Sequence, residues 1–499
     1  MKTESALSPS DFDFFRKVAS SAFLNPFSLS RLEADRAAAG GVGEAGDVLP
    51  VLLEALSGRL ARLGAEAPRP LLGRFRGRDR AVLRVGIAFL VFHRYVEAFD
   101  RYIVEQCRNR DEVLPCPFAG ELFRELLGYG FDRADAIQTV AFFFQLRRAF
   151  YFINTALLGE SALMRRTREA LWQAVFTCDT QRYLETFWCR MEDFSILLLG
   201  ETGTGKGAAA WAIGNSGFIP FQPERGGFKE SFMNAFIPVN LSAFSENLIE
   251  SELFGHRKGA FTGAIEHHAG VFSRCSPCGA IFLDEIGEVS ESVQIKLLNV
   301  LQQRSFSPVG GHESERFEGR IIAATNRDLA ERRKEGHFRD DFYYRLSSCS
   351  IVMPTLRERL AEAPGELETL LGNVLRRMTG AEHPEIVQSI QMSLRTDLPP
   401  DYPWPGNVRE LEQAVRSVLL TGHYCGDRPA GAVPAPLPGE PPSEEGAALF
   451  ERCREGTVTL EELQRGYASY LFKRYGSYGE VSRRLGVDWR TAKKFCRPE

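Results

Sequence analysis

Residues 196–213 read ILLLGETGTGKGAAAWAI and give the strongest structural signal in the chain. Four apolar residues lead into a glycine-rich turn, a lysine and a helix-like segment, which is the order that a phosphate-binding loop requires. Glycines let successive backbone N–H groups converge on phosphate oxygens, while the helix start and the lysine supply positive charge. A glycine-rich turn without a ligand is the alternative. The pattern predicts that ATP is bound by Gly200, Glu201, Thr202, Gly203, Thr204, Gly205, Lys206 and Gly207.

Gly207 departs from the usual loop, in which a Ser or Thr after the lysine contacts magnesium. We therefore expect Mg²⁺ to be held from elsewhere. Asp284 and Glu285 directly follow the apolar run Ala280 to Leu283. Asp284 is predicted to hold the ion through water, and Glu285 to orient and polarise the water that attacks the γ-phosphate. A solvated strand end is the alternative for such a pair.

The alternation of short apolar runs with longer amphipathic segments is typical of an α/β layer structure from Ser195 onward. The first 165 residues instead show helix-like spacing, clearest over 81–107 and 134–156, and predict a mostly helical unit. Its Phe-rich segments favour a buried core, with an effector pocket or partner groove as the alternative. The strand-like runs of the α/β part lie at residues 195–199, 237–240, 280–283 and 320–324.

The end of the chain is predicted to be a separate helical unit. Residues 426–447 are rich in Pro, Gly, Ala and Glu and predict a flexible linker. Capping boxes are predicted at Thr459-Leu460-Glu461-Glu462 and Ser477-Tyr478-Gly479-Glu480. A turn then leads into Trp489 to Cys496, which is helix-turn-helix spacing. The alternative is a small helical oligomerisation module with a solvated basic face.

Charge supports a DNA-binding role for this tail only. Lys and Arg number 61 against 65 Asp and Glu, so the whole chain has a net charge of −4. Between residues 473 and 497, however, eight basic residues face two acidic ones, the local excess that duplex DNA attracts. The predicted DNA-contacting residues are Arg490, Thr491, Lys493 and Lys494.

Length and composition bound the remaining possibilities. The 499 residues suffice for about three domains at roughly 100–200 residues each. The sequence begins without a secretory pattern and has no apolar run of membrane-spanning length, so we expect a cytoplasmic protein. Cys275 and Cys278 lie near two histidines, but no second cysteine pair follows, and we do not expect a zinc site.

Residues 250–264 read ESELFGHRKGAFTGA and carry one aromatic residue on a glycine-bounded tip. Such a segment suits a retractable contact better than a core, although a tight hairpin with a packed Phe is the alternative. The sequence resembles the bacterial enhancer-binding proteins, the AAA+ activators of sigma-54 RNA polymerase, whose hallmark loop is GAFTGA. The resemblance runs from about residue 176 to 420 and resumes in the tail as a Fis-type helix-turn-helix. It implies sigma-54 contacts, led by Phe261 and Thr262, for Gly259, Ala260, Phe261, Thr262, Gly263 and Ala264.

The resemblance also implies roles for residues around the nucleotide. Asn240 is similar to the family's switch asparagine, whose amide can hold Glu285 away from water. Thr325 and Asn326 resemble the first sensor of the γ-phosphate, and Arg409 resembles the second sensor.

Arg339 and Arg345 resemble arginine fingers that a neighbouring subunit inserts to stabilise transition-state charge. Fingers that act in trans imply a ring, built from a heterologous interface that closes on itself. The resemblance suggests a hexamer.

The combined prediction has four segments. Residues 1–165 form a regulatory domain of unknown signal, 166–425 an AAA+ P-loop ATPase domain with a helical lid, 426–447 the linker and 448–499 the DNA-binding domain. Three departures from the family stand out: Gly207 and Arg257 where acids are common, and a longer segment at 217–234.

The predicted function is a sigma-54-dependent transcriptional regulator. It binds upstream double-stranded DNA and uses ATP hydrolysis in a ring to remodel the closed promoter complex, under a small-molecule or protein effector at its N-terminal domain. Two alternatives remain open: an AAA+ remodelling ATPase with another client, and a DNA-binding regulator without useful ATPase activity.

Overall fold

The computed structural model describes residues 6–41, 48–64, 70–110, 112–426, 458–475 and 477–496. The chain divides into two compact units, Met1–Gly426 and Asp427–Glu499. Apart from Gly426, the predicted linker lies outside the described residues. Within the described residues, every helix is too short or too polar to cross a bilayer.

The first part of the larger unit is helical, as predicted. The segments predicted at 81–107 and 134–156 lie within two long helices, of which the second begins where the Asp132 side chain accepts from the Asp135 N–H. The helices are α1 (Pro9–Ala22), α2 (Leu29–Ala38), α3 (Val48–Gly64), α4 (Gly77–Arg108), α5 (Ala119–Tyr129), α6 (Arg133–Ala156) and α7 (Ala162–Phe176).

The Phe-rich segments of α6 are core, which confirms the favoured interpretation. Phe142, Phe143, Phe144 and Phe152 are all buried. Their cluster does not end at the helical part, because it continues into the first strand of the sheet and the helix after the phosphate loop. Members from that side are Ile196, Leu198, Ala209, Ala210 and Ile213.

A five-stranded, fully parallel sheet forms the centre of the unit. Its strands are β1 (Ile196–Leu199), β4 (Phe236–Asn240), β5 (Ala280–Asp284), β8 (Arg320–Thr325) and β9 (Cys349–Val352), in the spatial order β4-β5-β8-β1-β9. The four predicted runs are confirmed as β1, β4, β5 and β8, whereas β9 was not predicted. Because all strands run the same way, their carboxyl ends gather at one edge, where Leu199 pairs with Thr325 and Asn240 with Asp284.

Two small antiparallel pairs stand apart from the main sheet. One is β2 (Phe221–Gln222) with β3 (Gly227–Phe228), and the other is β6 (Ser305–Phe306) with β7 (Glu315–Arg316). The first pair lies in the segment 217–234 that looked unusually long in the sequence.

Helices surround the sheet and form a lid after it. Those of the α/β part are α8 (Thr180–Arg182), α9 (Lys206–Gly214), α10 (Glu246–Phe254), α11 (Val271–Arg274), α12 (Glu291–Gln303), α13 (Leu329–Lys334) and α14 (Asp340–Leu346). The lid helices are α15 (Leu356–Glu362), α16 (Glu366–Thr379), α17 (Pro384–Asp397) and α18 (Asn407–Thr421), which enclose their own apolar core.

The predicted boundary between residues 165 and 166 falls inside α7. The Arg168 guanidinium of that helix donates to the carbonyls of Leu157 and Gly159, at 2.9 and 2.8 Å, and so fixes the turn between α6 and α7. The backbone passes through this position as continuous helix, and the three boundaries between the four predicted segments stay predictions.

The described residues of the second unit form three helices around a small core: α19 (Leu460–Tyr475), α20 (Tyr478–Leu485) and α21 (Trp489–Phe495). The capping box at Thr459 is confirmed: its N–H donates to Glu462 Oε2 at 2.9 Å, and the Glu462 N–H returns to Thr459 Oγ1 at 3.3 Å. The second box is wrong. Glu480 does not reach back to Ser477, because its carboxylate is held by Arg483 and Arg484 on the next turn.

Candidate nucleotide-binding site

A cavity of about 300 Å³ opens at the carboxyl edge of the sheet, between the phosphate loop and the lid. Two predicted carboxylates line it at the end of β5, and the predicted second sensor lines it from α18. The predicted residues that line it are Thr202, Gly203, Thr204, Gly205, Lys206, Gly207, Asp284, Glu285 and Arg409. Gly200 and Glu201 lie at the base of the loop instead of lining this space.

The loop has the backbone that the sequence predicts. Gly203 has a φ of +79°, which disfavours any residue with a side chain. A Cβ at this position would also lie 2.1 Å from the carbonyl oxygen of Gly406 in the lid, so the space excludes a side chain as well. Lys206 is buried, and its Nζ donates to the carbonyls of Gly200 and Glu201 at 2.7 and 3.0 Å. Burial lowers the pKa of Lys206, while Glu285 and Asp284 oppose this shift. The loop therefore places a cation in the cavity that Asp284 and Glu285 also line.

Glu285 has the most unusual geometry at the site. Its φ of +58° and ψ of +43° lie in the left-handed region, which a residue with a side chain occupies only under local constraint. The Glu285 N–H donates to Asp284 Oδ1 at 3.1 Å. Glu285 Oε2 is buried and accepts no hydrogen bond from any described residue. A buried carboxylate oxygen that lacks a donor suits a group that must accept from a bound water.

The residues present fit a magnesium ion that shares its ligands with a substrate. Mg²⁺ prefers oxygen donors and is commonly held by one or two carboxylates together with phosphate oxygens and water. Asp284 and Glu285 provide such carboxylates beside the phosphate loop. Elsewhere in the described residues, no three His, Cys, Asp or Glu side chains come together as metal ligands.

Gly207 is free to carry a side chain, which predicts the effect of a substitution. It is the second residue of α9, and a Cβ there would meet nothing within 4 Å. Gly207→Ala should therefore raise the free energy of unfolding by about 0.5–1 kcal/mol, because glycine is unfavourable within a helix. Urea denaturation of the full chain would measure the change.

Gly214→Ala is the matched control in the same helix. Its Cβ would lie 2.2 Å from the Phe236 ring, so this variant should lose stability. A loss of stability in Gly207→Ala would contradict the prediction, because it would show that a side chain does not fit beside this helix position.

The predicted first sensor lies against the phosphate loop. Asn326 Nδ2 donates to Thr202 Oγ1 at 2.9 Å. Thr325 is buried, and its Oγ1 accepts from the Arg327 N–H at 3.1 Å. Asn326 is thus the member of the pair that reaches the nucleotide loop.

The expected contact between Asn240 and Glu285 is not formed. Asn240 Oδ1 accepts instead from the backbone N–H and the hydroxyl of Ser242, at 3.0 and 2.8 Å, and so caps the turn after β4. Register nevertheless keeps Asn240 directly beside Asp284.

The two predicted arginine fingers lie away from the cavity of their own chain. Arg339 is held by Asp341 and Glu291, each at 2.9 Å, and both contacts raise its pKa. Arg345 is exposed, and its Nε donates to the carbonyl of Leu301 at 3.1 Å. Residues that act on a neighbouring subunit must lie outside their own site, as these two do.

The hallmark loop is an exposed hairpin. The Gly259 N–H donates to the Ala264 carbonyl at 2.8 Å, and the Ala264 N–H donates to the Phe261 carbonyl at 3.0 Å. Phe261 is 41% exposed, with its ring 4.9 Å from that of His256, and Thr262 is exposed as well. This exposure argues against a hairpin that serves only to pack its Phe.

Sequence reasoning missed an asparagine that joins the lid to the loop. Asn407 is fully buried, and its Nδ2 donates to the Thr202 carbonyl at 3.0 Å and to Glu201 Oε2 at 3.2 Å. Its Oδ1 accepts from the Leu356 N–H at 2.7 Å. Its place at the start of a predicted helix, directly after Pro405-Gly406, was the available signal.

One apolar wall of the cavity was missed too. It comes from the end of α6, the start of α7 and the turn between them, which the sequence assigned to the regulatory domain. These residues are Ala156, Leu157, Leu158 and Met164.

The predicted DNA-contacting residues lie on α21. Asp488 caps this helix by accepting from the N–H groups of Arg490 and Thr491, and the Thr491 hydroxyl donates to it at 2.6 Å. Arg490 and Lys494 are exposed. Lys493 Nζ lies 5.0 Å from the centre of the Trp489 ring. Thr491 is thus engaged in capping, which leaves the three basic side chains as the contact candidates.

Comparison with known proteins matches this part of the chain to a known domain. Residues 181–352 match the model of the Sigma-54 interaction domain. The chain is 43% identical over 228 residues to the Nif-specific regulatory protein of Azotobacter vinelandii, covering 46% of this chain and 40% of that protein. It is 37% identical over 302 residues to transcriptional regulatory protein ZraR of Escherichia coli, covering 60% of this chain and 62% of that protein.

A third relative is sigma54-dependent transcriptional activator SfnR of Pseudomonas putida, 41% identical over 236 residues, or 47% of this chain and 58% of that protein. The chain thus spans between 40% and 62% of the length of these relatives. The solved structure of NtrX from Brucella abortus in complex with ATP matches with a TM-score of 0.41 at 21% identity, over 75% of this chain and 80% of that chain. Residues 181–352 of the chain are therefore a sigma-54 interaction domain, and the chain is similar over this part to regulators and activators of transcription.

Proposed function

We propose that the protein is a sigma-54-dependent transcriptional activator that hydrolyses ATP in a ring and remodels the closed sigma-54 RNA polymerase promoter complex. The observation that carries this proposal is the exposed hairpin Gly259–Ala264, which projects Phe261 and Thr262 from the same unit that holds the nucleotide cavity. An exposed aromatic on a hairpin bounded by two glycines of positive φ suits a contact that is made and released.

For hydrolysis, the phosphate loop binds the triphosphate through its N–H groups and Lys206, and the start of α9 adds its dipole. Asp284 is the residue that would hold Mg²⁺, which supplies charge neutralisation between the phosphates when bound. Glu285 accepts a proton from the attacking water through its unpartnered carboxylate oxygen. Asn326 and Arg409, one from the sheet edge and one from the lid, hold the γ-phosphate in line.

A ring is required to complete this site. Arg339 and Arg345 lie outside the cavity of their own chain, and each is presented on or beside the short helix α14. Inserted into a neighbour, they would stabilise the charge that develops on the phosphoryl group. We propose a hexamer, in line with the family resemblance.

The path from the site to the hairpin is short. Asn240 ends β4 beside Asp284, α10 follows after a turn, and Gly255 closes that helix four residues before the hairpin begins. Arg257 at the hairpin base forms an ion pair of 2.6 Å with Glu313. Movement at the carboxyl edge of the sheet can therefore reach Phe261 through a single helix.

The other parts of the function follow from this role. The tail binds upstream double-stranded DNA through Arg490, Lys493 and Lys494, and the N-terminal helices receive a small-molecule or protein effector. An activator of RNA polymerase works where the chromosome is, so we place the protein in the cytoplasm.

The test is co-elution of the full chain with purified sigma-54, in ADP with a metal-fluoride mimic of the transition state. We expect a complex that forms with the mimic and is absent with ADP alone. Hydrolysis of ATP without any such complex would favour a remodelling ATPase with another client. A chain that binds DNA without hydrolysing ATP would instead favour the regulator that lacks ATPase activity.

A further inference from the structure

Helix α6 of the N-terminal part lies antiparallel to α9, the helix that begins at the phosphate loop. Three contacts show this order, because residues further along α6 touch positions nearer the start of α9. Arg148 reaches the end of α9, Phe152 packs against Trp211 in its middle, and Leu157 approaches Gly205 at its start. The ring centres of Phe152 and Trp211 are 4.6 Å apart. The spacing of these contacts shows that α6 follows α9 over its whole length.

A buried cation holds the end of α9 by hydrogen bonds. Arg148 is completely buried, and its two terminal nitrogens donate to the carbonyls of Asn215 and Gly217 at 2.9 and 2.7 Å. Its neighbour Gln145 donates to the Ser216 carbonyl at 3.0 Å. These three carbonyls directly follow the last residue of α9, where the helix dipole is negative and a cation is stabilising.

The hydrogen bonds of Arg148 go to carbonyls and none of them to a carboxylate. Burial lowers its pKa to about 9. A guanidinium without a paired carboxylate is expensive to bury, and one whose donors are aimed at a single helix end is well placed to fix that end.

The long segment 217–234 covers the contact that Arg148 makes with α9. Phe228 of β3 stacks on Phe144 of α6 with ring centres 3.9 Å apart, and Phe232 lies 5.3 Å from Phe152. The Arg148 guanidinium lies 4.2 Å from the Phe144 ring. Residues of this segment therefore enclose the contact between α6 and α9.

We propose that α6 sets the position of the phosphate-loop helix, with Arg148 as its positioning residue, so that the N-terminal helices control nucleotide binding by direct contact with α9. This inference rests on the proposed ATPase function. Since α9 is held at its far end by Arg148 and its near end forms the phosphate loop, releasing the far end lets the loop glycines and Lys206 shift relative to Asp284 and Glu285. A signal received by the N-terminal helices reaches ATP through the same contact.

The test compares two adjacent arginines of α6 in the full chain. Arg148→Met removes the hydrogen bonds to the end of α9. Arg147→Met instead removes a bidentate ion pair with Asp100, with both bonds at 2.6 Å, and this pair lies wholly within the N-terminal helices. We expect both variants to lose thermal stability. Arg148→Met should also raise the KM for ATP and the Kd for ADP about tenfold, with a smaller change in kcat, while Arg147→Met leaves KM and Kd as in the wild type.

Arg148→Lys keeps the proposal testable should the Met variant fail to fold. A lysine retains the charge but lacks the planar fork that spans two carbonyls, so its KM should lie between those of wild type and Arg148→Met, or above wild type when only the Lys variant folds. An unchanged KM in a folded Arg148 variant, or an equal rise in Arg147→Met, would overturn the proposal. Wild-type protein that neither binds nor hydrolyses ATP would overturn the proposed function itself, which separates the two failures.

Discussion

Glu285→Gln should abolish ATP hydrolysis while ATP still binds. The glutamine keeps the size of the side chain and can occupy the same backbone position, but it cannot take a proton from water. A positioned general base contributes about 10²–10⁴ in rate, so we expect kcat to fall by at least a hundredfold. Because the phosphate loop and Lys206 are untouched, the Kd for ATP should stay within about threefold of wild type. Steady-state phosphate release and calorimetric titration with a slowly hydrolysed ATP analogue would measure the two quantities.

Glu288→Gln is the matched control. Glu288 lies three residues further along and pairs with Arg327 and Arg332 instead of facing the cavity. Its kcat should remain close to wild type. Hydrolysis that survives in Glu285→Gln would transfer the base role to another group, with Asp284 the first to test.

Phe261→Ala and Thr262→Ala should abolish the complex with sigma-54 while hydrolysis continues. Both side chains are exposed at the hairpin tip, so removing them leaves the core of the ATPase intact. Central aromatic anchors of an interface commonly contribute about 2–4 kcal/mol to binding, which corresponds to a loss of affinity of at least about thirtyfold. Co-elution with sigma-54 in the transition-state mimic and steady-state ATPase assays would separate binding from hydrolysis.

Ile265→Ala is the control for lost apolar surface near the hairpin. Ile265 directly follows the hairpin and is 75% exposed, so a nonspecific apolar contact would depend on it as well. We expect it to retain the complex. Equal losses in all three variants would indicate a general surface effect, and a retained complex in Phe261→Ala would remove the hairpin from the contact.

Local patterns in the sequence predicted much of the fold. The apolar runs of β1, β4, β5 and β8 each end in a polar or glycine-rich turn, so length and flanks alone identify them. The run at β9 is CSIV, with two polar or weakly apolar residues out of four. Its strand character comes from pairing with β1, which no local pattern contains.

The same distinction holds at the site. The phosphate loop and Asp284-Glu285 are short motifs whose chemistry is readable where they stand. Asn407 acts through bonds to Thr202 and Glu201, more than two hundred positions away in the chain. The role of Arg148 likewise depends on a fold that brings it beside Asn215. Long-range contacts of this kind determine which ordinary polar residue becomes important, and one sequence does not record them.

The core shared by the N-terminal helices and the ATPase sheet bears on how such a protein can evolve. Regulators diversify readily when an input domain can be exchanged at a flexible joint. Here the end of α6 and the start of α7 form part of the wall of the candidate nucleotide cavity, and residues 217–234 pack back onto α6. A new input module would have to be added to the outer helices α1 to α5. Replacing the whole N-terminal segment would also remove the part of the cavity wall that α6 and α7 supply. Sequence change in this lineage should therefore concentrate in those outer helices, with α6, α7 and the 217–234 segment changing together.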